Sequence, residues 1–271
     1  MRHKSRLTIT LPGELLTKVD DLVDGKAVRN RSHAIELLIR SSMEPTVSMA
    51  VILAGGKRKL ATPLALKKIG NRPLLAITLE NLKKHGIVDV YVCGGIYEKQ
   101  IKTVFGDGSQ FGVKLTYVEE KKPLGTAGAL KLTEKYVTGN PFLVIHGDVL
   151  TDINLQDLIK FHLRENTKAT IGVKPRMSEK KFGQAFLHGN KIIRFMERGA
   201  NKGISIVNTG IYVLNSEVLT AIPRGKVASM EADIFPKLAE NGELSAFIFQ
   251  GIWFDVADEA DHKKANAQWK E

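Results

Sequence analysis

With 271 residues the chain is long enough for one large α/β domain plus a small module, and 43% hydrophobic and 25% charged content is ordinary for a globular protein. No stretch approaches a membrane span, the opening MRHKSRLTITLPGE has no apolar signal-peptide core, and the single cysteine, Cys93, excludes an internal disulfide framework and a cysteine-based zinc site; a cytoplasmic protein is expected. The net charge of +11 points to an anionic partner, for which phosphorylated small molecules and nucleic acid both qualify.

RLTITL at Arg6–Leu11 alternates strictly, which predicts a strand with Arg6, Thr8 and Thr10 on one face and Leu7, Ile9 and Leu11 on the other, ended by Pro12-Gly13. The spacing of Leu15, Leu16, Val19, Leu22 and Val23 predicts a helix over 14–23. Asn30, Arg31 and Ser32 offer caps for a second helix with Ala34, Ile35, Leu37, Leu38 and Ile39 on its inner face. One strand and two short helices cannot bury a sufficient core, and the strand leaves an unpaired edge. Two copies solve both problems by pairing their strands antiparallel and interleaving their helices, so a homodimer is expected. A two-stranded ribbon fits the DNA major groove, and the free N–H groups opening the second helix suit a phosphate. From Lys4 to Met43 the chain resembles the ribbon-helix-helix family of DNA-binding repressors. The resemblance implies that Arg6, Thr8 and Thr10 read operator DNA and that Asn30, Arg31 and Ser32 anchor a phosphate. The alternative is a dimerisation module without DNA binding. Residues 1–43 are thus one module, and a polar stretch carrying Pro45 separates it from the rest, with the linker at 44–48.

MAVIL at Met49–Leu53 predicts a buried strand running into Ala54-Gly55-Gly56 and then Lys57-Arg58-Lys59, a candidate phosphate loop because small residues let a ligand approach the backbone. Helix 73–85, strand 88–93, helix 97–104, strand 113–118 and helix 126–136 follow, an alternation that implies a doubly wound α/β sheet. Cys93 sits in an apolar run and reads as a buried small hydrophobe. Gly125 and Gly128 open the helix after the third strand, where backbone N–H groups could face a base or phosphate; tight helix–sheet packing would use the same glycines.

The chain is organised around FLVIHGDVL at Phe142–Leu150. Four apolar residues without alternation predict a strand buried on both faces. Gly147 lets the backbone turn, which places Asp148 at the carboxyl end of a central strand, where open α/β sheets bind ligands. A carboxylate there, close to phosphates, suits Mg²⁺; the bland alternative is a helix cap, although Asp152 or Asn154 could cap the helix at 155–163 equally well. His146 reads as structural. Strands are expected at 169–173, 183–187, 191–198 and 204–214, and an apolar stretch at 247–256 ends in Trp253-Phe254-Asp255 ahead of a terminal helix. Asp255 repeats the logic of Asp148, and two such carboxylates could clamp one Mg²⁺ on a nucleotide. Trp253 reads as core or rim packing.

From Ala50 onward the order of LAGG (Leu53–Gly56), NRPLL (Asn71–Leu75), PLGTAGAL (Pro123–Leu130), HGDVLTDINL (His146–Leu155), FMERG (Phe195–Gly199), NTGIYVL (Asn208–Leu214) and WFDV (Trp253–Val256) is similar to that of the sugar-1-phosphate nucleotidyltransferases, or NDP-sugar pyrophosphorylases. The resemblance implies a Rossmann-like, GT-A-like domain with a mixed sheet over 49–271, in one of the family's shorter members without the β-helix tail. It further implies that Leu53, Gly55, Gly56, Gly125, Thr126, Gly128 and Gly147 surround the nucleotide. Asp148 and Asp255 would hold Mg²⁺, Asp148 taking part in catalysis, while Glu197, Asn208 and Thr209 contact the sugar. Arg198 stands where the family usually has a lysine near the sugar phosphate. PLGTAGAL leans toward the guanylyl- and mannose-type branch.

One departure matters. After its two glycines the family has a longer loop with Gly-Thr-Arg and a later Pro-Lys; here Lys57-Arg58-Lys59 follows directly, the segment to Asn71 is shorter, and Leu64 falls where the lysine should be. Loss of such a cation costs on the order of 10²–10³ in rate. Lys57 and Arg58, with Lys59, Lys67 or Lys68, are the candidate replacements. Together, the N-terminal module and the shortened loop imply a DNA-binding transcriptional regulator whose large domain binds a nucleotide, nucleotide sugar or sugar phosphate as effector. The alternatives are an active Mg²⁺-dependent nucleotidyltransferase that also binds DNA, and an enzyme that its N-terminal module merely dimerises.

Overall fold

The computed structural model describes residues 8–43, 47–56, 60–137, 139–177, 182–197 and 204–269. Arg6, Lys57, Arg58, Lys59, Arg198 and most of the expected linker lie outside them. The chain divides into two compact units, Met1–Pro45 and Thr46–Glu271.

In the first unit, α1 (Gly13–Asp20) and α2 (Arg31–Met43) pack on each other through Val19 and Ala34, the only buried apolar side chains described there. Asn30 caps α2, its Oδ1 accepting the His33 N–H at 3.0 Å. Arg31 makes two bonds to the Asp20 carboxylate, at 2.5 and 2.8 Å, and Ser32 is exposed. The sequence predicts a strand up to Leu11, but Thr8, Ile9, Thr10 and Leu11 have no regular structure here. A ribbon strand exists only when another strand accepts its hydrogen bonds, and the unit's described residues offer none. Ile9, Leu15, Leu22 and Leu37 stand exposed.

The second unit is built on a nine-stranded sheet among the described residues. Its first part runs β1 (Met49–Leu53), a small hairpin of β2 (Lys68–Ile69) and β3 (Arg72–Pro73), α3 (Leu74–Lys84), β4 (Asp89–Cys93), α4 (Glu98–Phe105), β5 (Lys114–Tyr117), α5 (Gly125–Lys131) and β6 (Phe142–His146). Then follow β7 (Val149–Thr151), α6 (Leu155–Glu165), β8 (Ala169–Met177), β9 (Gln184–His188), β10 (Lys191–Met196) and β11 (Ile204–Leu214). The chain finishes with α7 (Phe235–Glu240), β12 (Leu244–Ile248), β13 (Trp253–Asp255) and α8 (Glu259–Gln268). The order across the sheet is β5-β4-β1-β6-β11-β8-β12-β10-β9.

The half from β5 to β6 is parallel, as the uninterrupted apolar runs predict, and Ala50, Val51, Ile52 and Phe142 to Val144 are fully buried between layers of helices. The other half is not doubly wound: β11 runs antiparallel to both β6 and β8, so the sheet is mixed. The expected 247–256 stretch is also two strands. β12 joins the main sheet beside β8, while β13 leaves it to pair antiparallel with β7.

The register of the parallel half positions the site. Leu53 is level with Cys93 on one side and His146 on the other, so three strands end on one line and release their loops together. Gly147 differs from expectation in its reason. Its N–H bonds to Leu53 O at 2.8 Å and a Cβ there would lie 2.9 Å from Ala54, so glycine serves a close approach between neighbouring loops. Asn154, accepting from the N–H groups of Gln156 and Asp157, caps α6, which leaves Asp148 uncommitted; Asp152 instead accepts from Ile252 N–H.

Candidate active site

Two cavities open at the carboxyl ends of these strands. The first, of about 290 Å³, is bordered by Leu53, Gly55, Gly56, Glu120, Gly125 and Thr126, with Cys93 at its floor. The second, of about 190 Å³, is bordered by Phe182, Glu197, Asn208, Thr209, Trp253 and Asp255. His146 and Asp148 border both.

Glycine shapes the first cavity. Gly125 has φ +77° and a Cβ there would fall 2.4 Å from Ala228 O, so the loop folds tightly against the 226–228 segment. The N–H groups of Ala127 and Gly128 bond to that same carbonyl. Gly128 is therefore a buried packing residue, as is Gly147, and neither borders the cavity. Glu120 enters the cavity from the other side. One carboxylate oxygen accepts the Leu124 N–H at 2.7 Å, and the other faces Gly55 and Gly95. Burial raises the Glu120 carboxyl above its ordinary value, partly offset by that N–H bond. Burial likewise pushes the Cys93 thiol up, so it remains a protonated, inert wall residue.

The second cavity depends on a bulge. Between Asn208 and Tyr212, β11 slips against β8, with Gly210 at φ +75° packed on the His146 ring. The bulge turns Asn208 and Thr209 to the cavity, yet both side chains are already engaged. The Thr209 hydroxyl donates to Gly172 O at 2.6 Å, and Asn208 Nδ2 donates to the Tyr212 hydroxyl at 2.9 Å. Trp253 Nε1 donates to Thr209 O, so the indole, read from sequence as packing, also walls the cavity.

Asp148 and Asp255 lie at the head of the β7–β13 ladder, where Asp255 pairs with Val149 and the Val256 N–H bonds to Asp148 O at 2.8 Å. Burial and then the Asp148 charge push the Asp255 carboxyl up to about 6. Two carboxylates held together at that cost fit a divalent cation that takes one or two protein carboxylates and completes its shell with water and phosphate. No cluster of three or more such ligands occurs among the described residues. Lys67 donates to Val256 O at 3.1 Å and to Glu259 at 3.0 Å, so it braces the Asp255 strand, and Lys68 is exposed.

Sequence reading missed Glu231. It follows Ser229, which caps the next turn, and it borders the second cavity. One oxygen accepts from Thr126 Oγ1 and Ser229 Oγ, both at 2.7 Å; the other accepts from the Tyr212 hydroxyl at 3.2 Å and lies 3.7 Å from His146 Nε2. Burial opposes its ionisation, but His146 and the Ser229 and Thr126 hydroxyls together hold its carboxyl below the ordinary range. The only signal was the S-x-E spacing.

The sheet and paired cavities are those of an α/β domain with a two-part cleft at the carboxyl edge of its parallel strands. The chain belongs to the nucleotidyl transferase family, whose model matches residues 49–271. A mannose-1-phosphate guanyltransferase from Debaryomyces hansenii is 34% identical over 224 residues, 78% of this chain and 61% of the relative. The chain thus spans under two thirds of that relative's length. A Danio rerio mannose-1-phosphate guanylyltransferase catalytic subunit beta is 32% identical over 78% of this chain and 62% of its own. The structure of HddC from Yersinia pseudotuberculosis, complexed with GMP-PN, has a TM-score of 0.71 at 25% identity, covering 83% of this chain and all of that one. These relatives overturn the expectation of a transcriptional regulator. That reading rested on the N-terminal module and the shortened loop after Gly56, but the matched proteins are named as enzymes, and the cleft has two cavities with Asp148 and Asp255 at its border. No helix among the described residues is long and apolar enough to cross a membrane.

Proposed function

We propose that the protein is a sugar-1-phosphate nucleotidyltransferase, converting an NTP and a sugar 1-phosphate to an NDP-sugar and pyrophosphate. The observation that carries this reading is the meeting of two cavities at Asp148, with Asp255 beside it. The nucleotide occupies the glycine-lined cavity and the sugar phosphate the second, so an oxygen of the sugar phosphate faces the α-phosphorus. That oxygen attacks, its P–O bond forms, and the bond from the α-phosphorus to the oxygen bridging the β-phosphate breaks. The nucleophile is already anionic, so catalysis is chiefly alignment and charge neutralisation. Asp148 and Asp255 would hold Mg²⁺, which when bound supplies positive charge to the phosphates. Backbone N–H groups at Gly55 and Gly56 approach the phosphates, and Lys57, Arg58 and Arg198 add cations. Glu197 and Asn208 contact the sugar.

Two observations favour guanine and mannose. The relatives named above are mannose-1-phosphate guanylyltransferases, and the Glu120 carboxylate offers acceptors only, which match the adjacent N1–H and N2–H₂ donors of guanine. Uracil or thymine would present a single N3–H donor between two carbonyl oxygens to the same carboxylate.

The module at 1–43, joined at 44–48 to the transferase domain at 49–271, is proposed as a ribbon-helix-helix element that dimerises the chain and binds DNA. Its exposed apolar residues Ile9, Leu15, Leu22 and Leu37 and the Asn30-capped helix support this. Thr8 and Thr10, with Arg6, would face bases, and Ser32 a phosphate. Arg31 would have to leave Asp20 to do the same.

The test is pyrophosphate release with Mg²⁺, each common NTP and a panel of sugar 1-phosphates. Activity with GTP and mannose 1-phosphate that Asp148→Asn abolishes supports the reading, and silence across the panel defeats it. A labelled duplex library, with binding that weakens steeply as salt rises, tests the module.

A further inference from the structure

The Glu231 carboxylate gathers hydrogen bonds from both parts of the cleft. Oε2 accepts from Ser229 Oγ and from Oγ1 of Thr126, which borders the first cavity, both at 2.7 Å. Oε1 accepts from the Tyr212 hydroxyl at 3.2 Å; that hydroxyl in turn accepts, at 2.9 Å, from Nδ2 of Asn208, which borders the second cavity. The direction of these bonds is fixed throughout. An ionised carboxylate offers acceptors only, so the single hydroxyl hydrogens of Thr126, Ser229 and Tyr212 all point at Glu231. The Met230 N–H donates to Thr126 Oγ1 at 2.8 Å, and the Glu231 and Ala232 N–H groups donate to Ser229 Oγ, both at 3.2 Å. The Gly210 N–H, 2.9 Å from Asn208 Oδ1, sets which end of that amide faces Tyr212. Tyr212 itself is fully buried and borders neither cavity.

Resting on the nucleotidyl-transfer reading, we propose that Glu231 is a positioning residue that couples the two substrates. Through Thr126 on one side and Tyr212 and Asn208 on the other, a nucleotide in the first cavity tightens binding of a sugar 1-phosphate in the second. A ligand that orders Thr126 orders the carboxylate, and with it the hydroxyl that holds Asn208. The second ligand then meets an arm already in place and loses less freedom on binding. By linkage the sugar phosphate tightens the nucleotide by the same factor. Glutamine cannot serve as the same link. With its oxygen toward Thr126 and Ser229, its amide hydrogens confront the Tyr212 hydroxyl, whose hydrogen must turn to His146 Nε2, 3.2 Å away. With the amide turned over, the Thr126 and Ser229 hydrogens lose their acceptor. Either way one arm is cut.

The experiment titrates mannose 1-phosphate into the protein by calorimetry in Mg²⁺, with and without a saturating GTP analogue whose α- and β-phosphorus atoms are bridged by a methylene. Pyrophosphate release and melting temperature are measured in parallel. In wild-type protein the analogue tightens mannose 1-phosphate at least about fivefold; in Glu231→Gln and in Tyr212→Phe the tightening falls to within about twofold. The variant with both changes loses no more than either alone, because the two residues form one link. On the nucleotide side Thr126→Val loses the tightening and Thr126→Ser, which keeps the hydroxyl, retains it; this pair decides the matter if the buried variants do not fold. Three results overturn the assignment while leaving nucleotidyl transfer standing. The first is an active wild-type protein whose two ligands bind independently. The second is a tightening factor that Glu231→Gln, Tyr212→Phe or Thr126→Val leaves at the wild-type value, even where melting temperature or the affinity for one ligand falls. The third is a Thr126→Ser variant that loses the tightening as fully as Thr126→Val. Wild-type protein inactive across NTPs and sugar phosphates overturns the transfer reading and this assignment with it.

Discussion

Removing the Asp255 charge should make the metal-free protein more stable. Asp255 is pushed from 3.8 to about 6, first by burial and then by the neighbouring Asp148 charge, against the help of the Ala257 N–H at 3.0 Å. The folded value lies above the unfolded one, so the contribution to stability is complete below about pH 4 and is lost as pH rises through about 6. At pH 7.5 the charged carboxylate then costs the fold about 3 kcal/mol, reduced to about 2 because the group keeps some contact with water. Asparagine preserves the shape, and its Oδ1 can still accept the Ala257 N–H. Thermal melts in chelator from pH 4 to 8 should show Asp255→Asn melting about 4–8 °C above wild type at pH 7.5, for a unit of this size, with the difference closing toward pH 4. Millimolar Mg²⁺ should raise the wild-type melting temperature and leave the variant unchanged. A variant that melts at or below wild type in chelator at pH 7.5 would refute the strained carboxylate pair.

Three further changes probe other parts of the structure. Gly125→Ala demands φ +77° of an L residue and drives a Cβ to 2.4 Å from Ala228 O; it should cost about 3 kcal/mol or more in urea unfolding and open the nucleotide loop. Glu120→Gln exchanges one acceptor for a donor and should lower kcat/KM for GTP about 10–100-fold while sparing the dependence on sugar phosphate, measured across the four NTPs. His162, bonded to Thr170 at 2.8 Å and Asn215 at 3.0 Å, is held below 6.5 by burial, so its stabilising contribution is present above pH 6.5 and is lost as pH falls below that. His162→Gln should flatten that part of the stability profile, read by melts between pH 5 and 7.5.

The parts of the molecule legible in the sequence are those that depend on local pattern. The apolar run of β6 has to be buried on both faces, and a carboxylate two residues past its end has to emerge at the sheet's ligand edge, so Asp148 could be named from spacing alone. The glycines of the two loops could be named too, but not their separate duties. Gly55, Gly56 and Gly125 border a cavity, whereas Gly128 and Gly147 admit neighbouring backbone, and the sequence GTAG looks the same under either duty. What stayed hidden is what non-local pairing decides. Nothing in Phe247–Val256 says that the chain must leave the main sheet between β12 and β13, because the partner that draws β13 away is β7, about a hundred residues earlier. Glu231 was invisible for the same reason: its hydrogen-bond partners, Thr126 and Tyr212, come from α5 and β11, and only the fold brings them to one carboxylate. The N-terminal strand is the opposite case. Its alternation is plain in the sequence, yet a strand is a relation between two segments, and one copy of the chain supplies only one of them. The same holds at the active site, where His146 is a residue beside a glycine until the register of β1 and β6 and the bulge of β11 set it between two cavities.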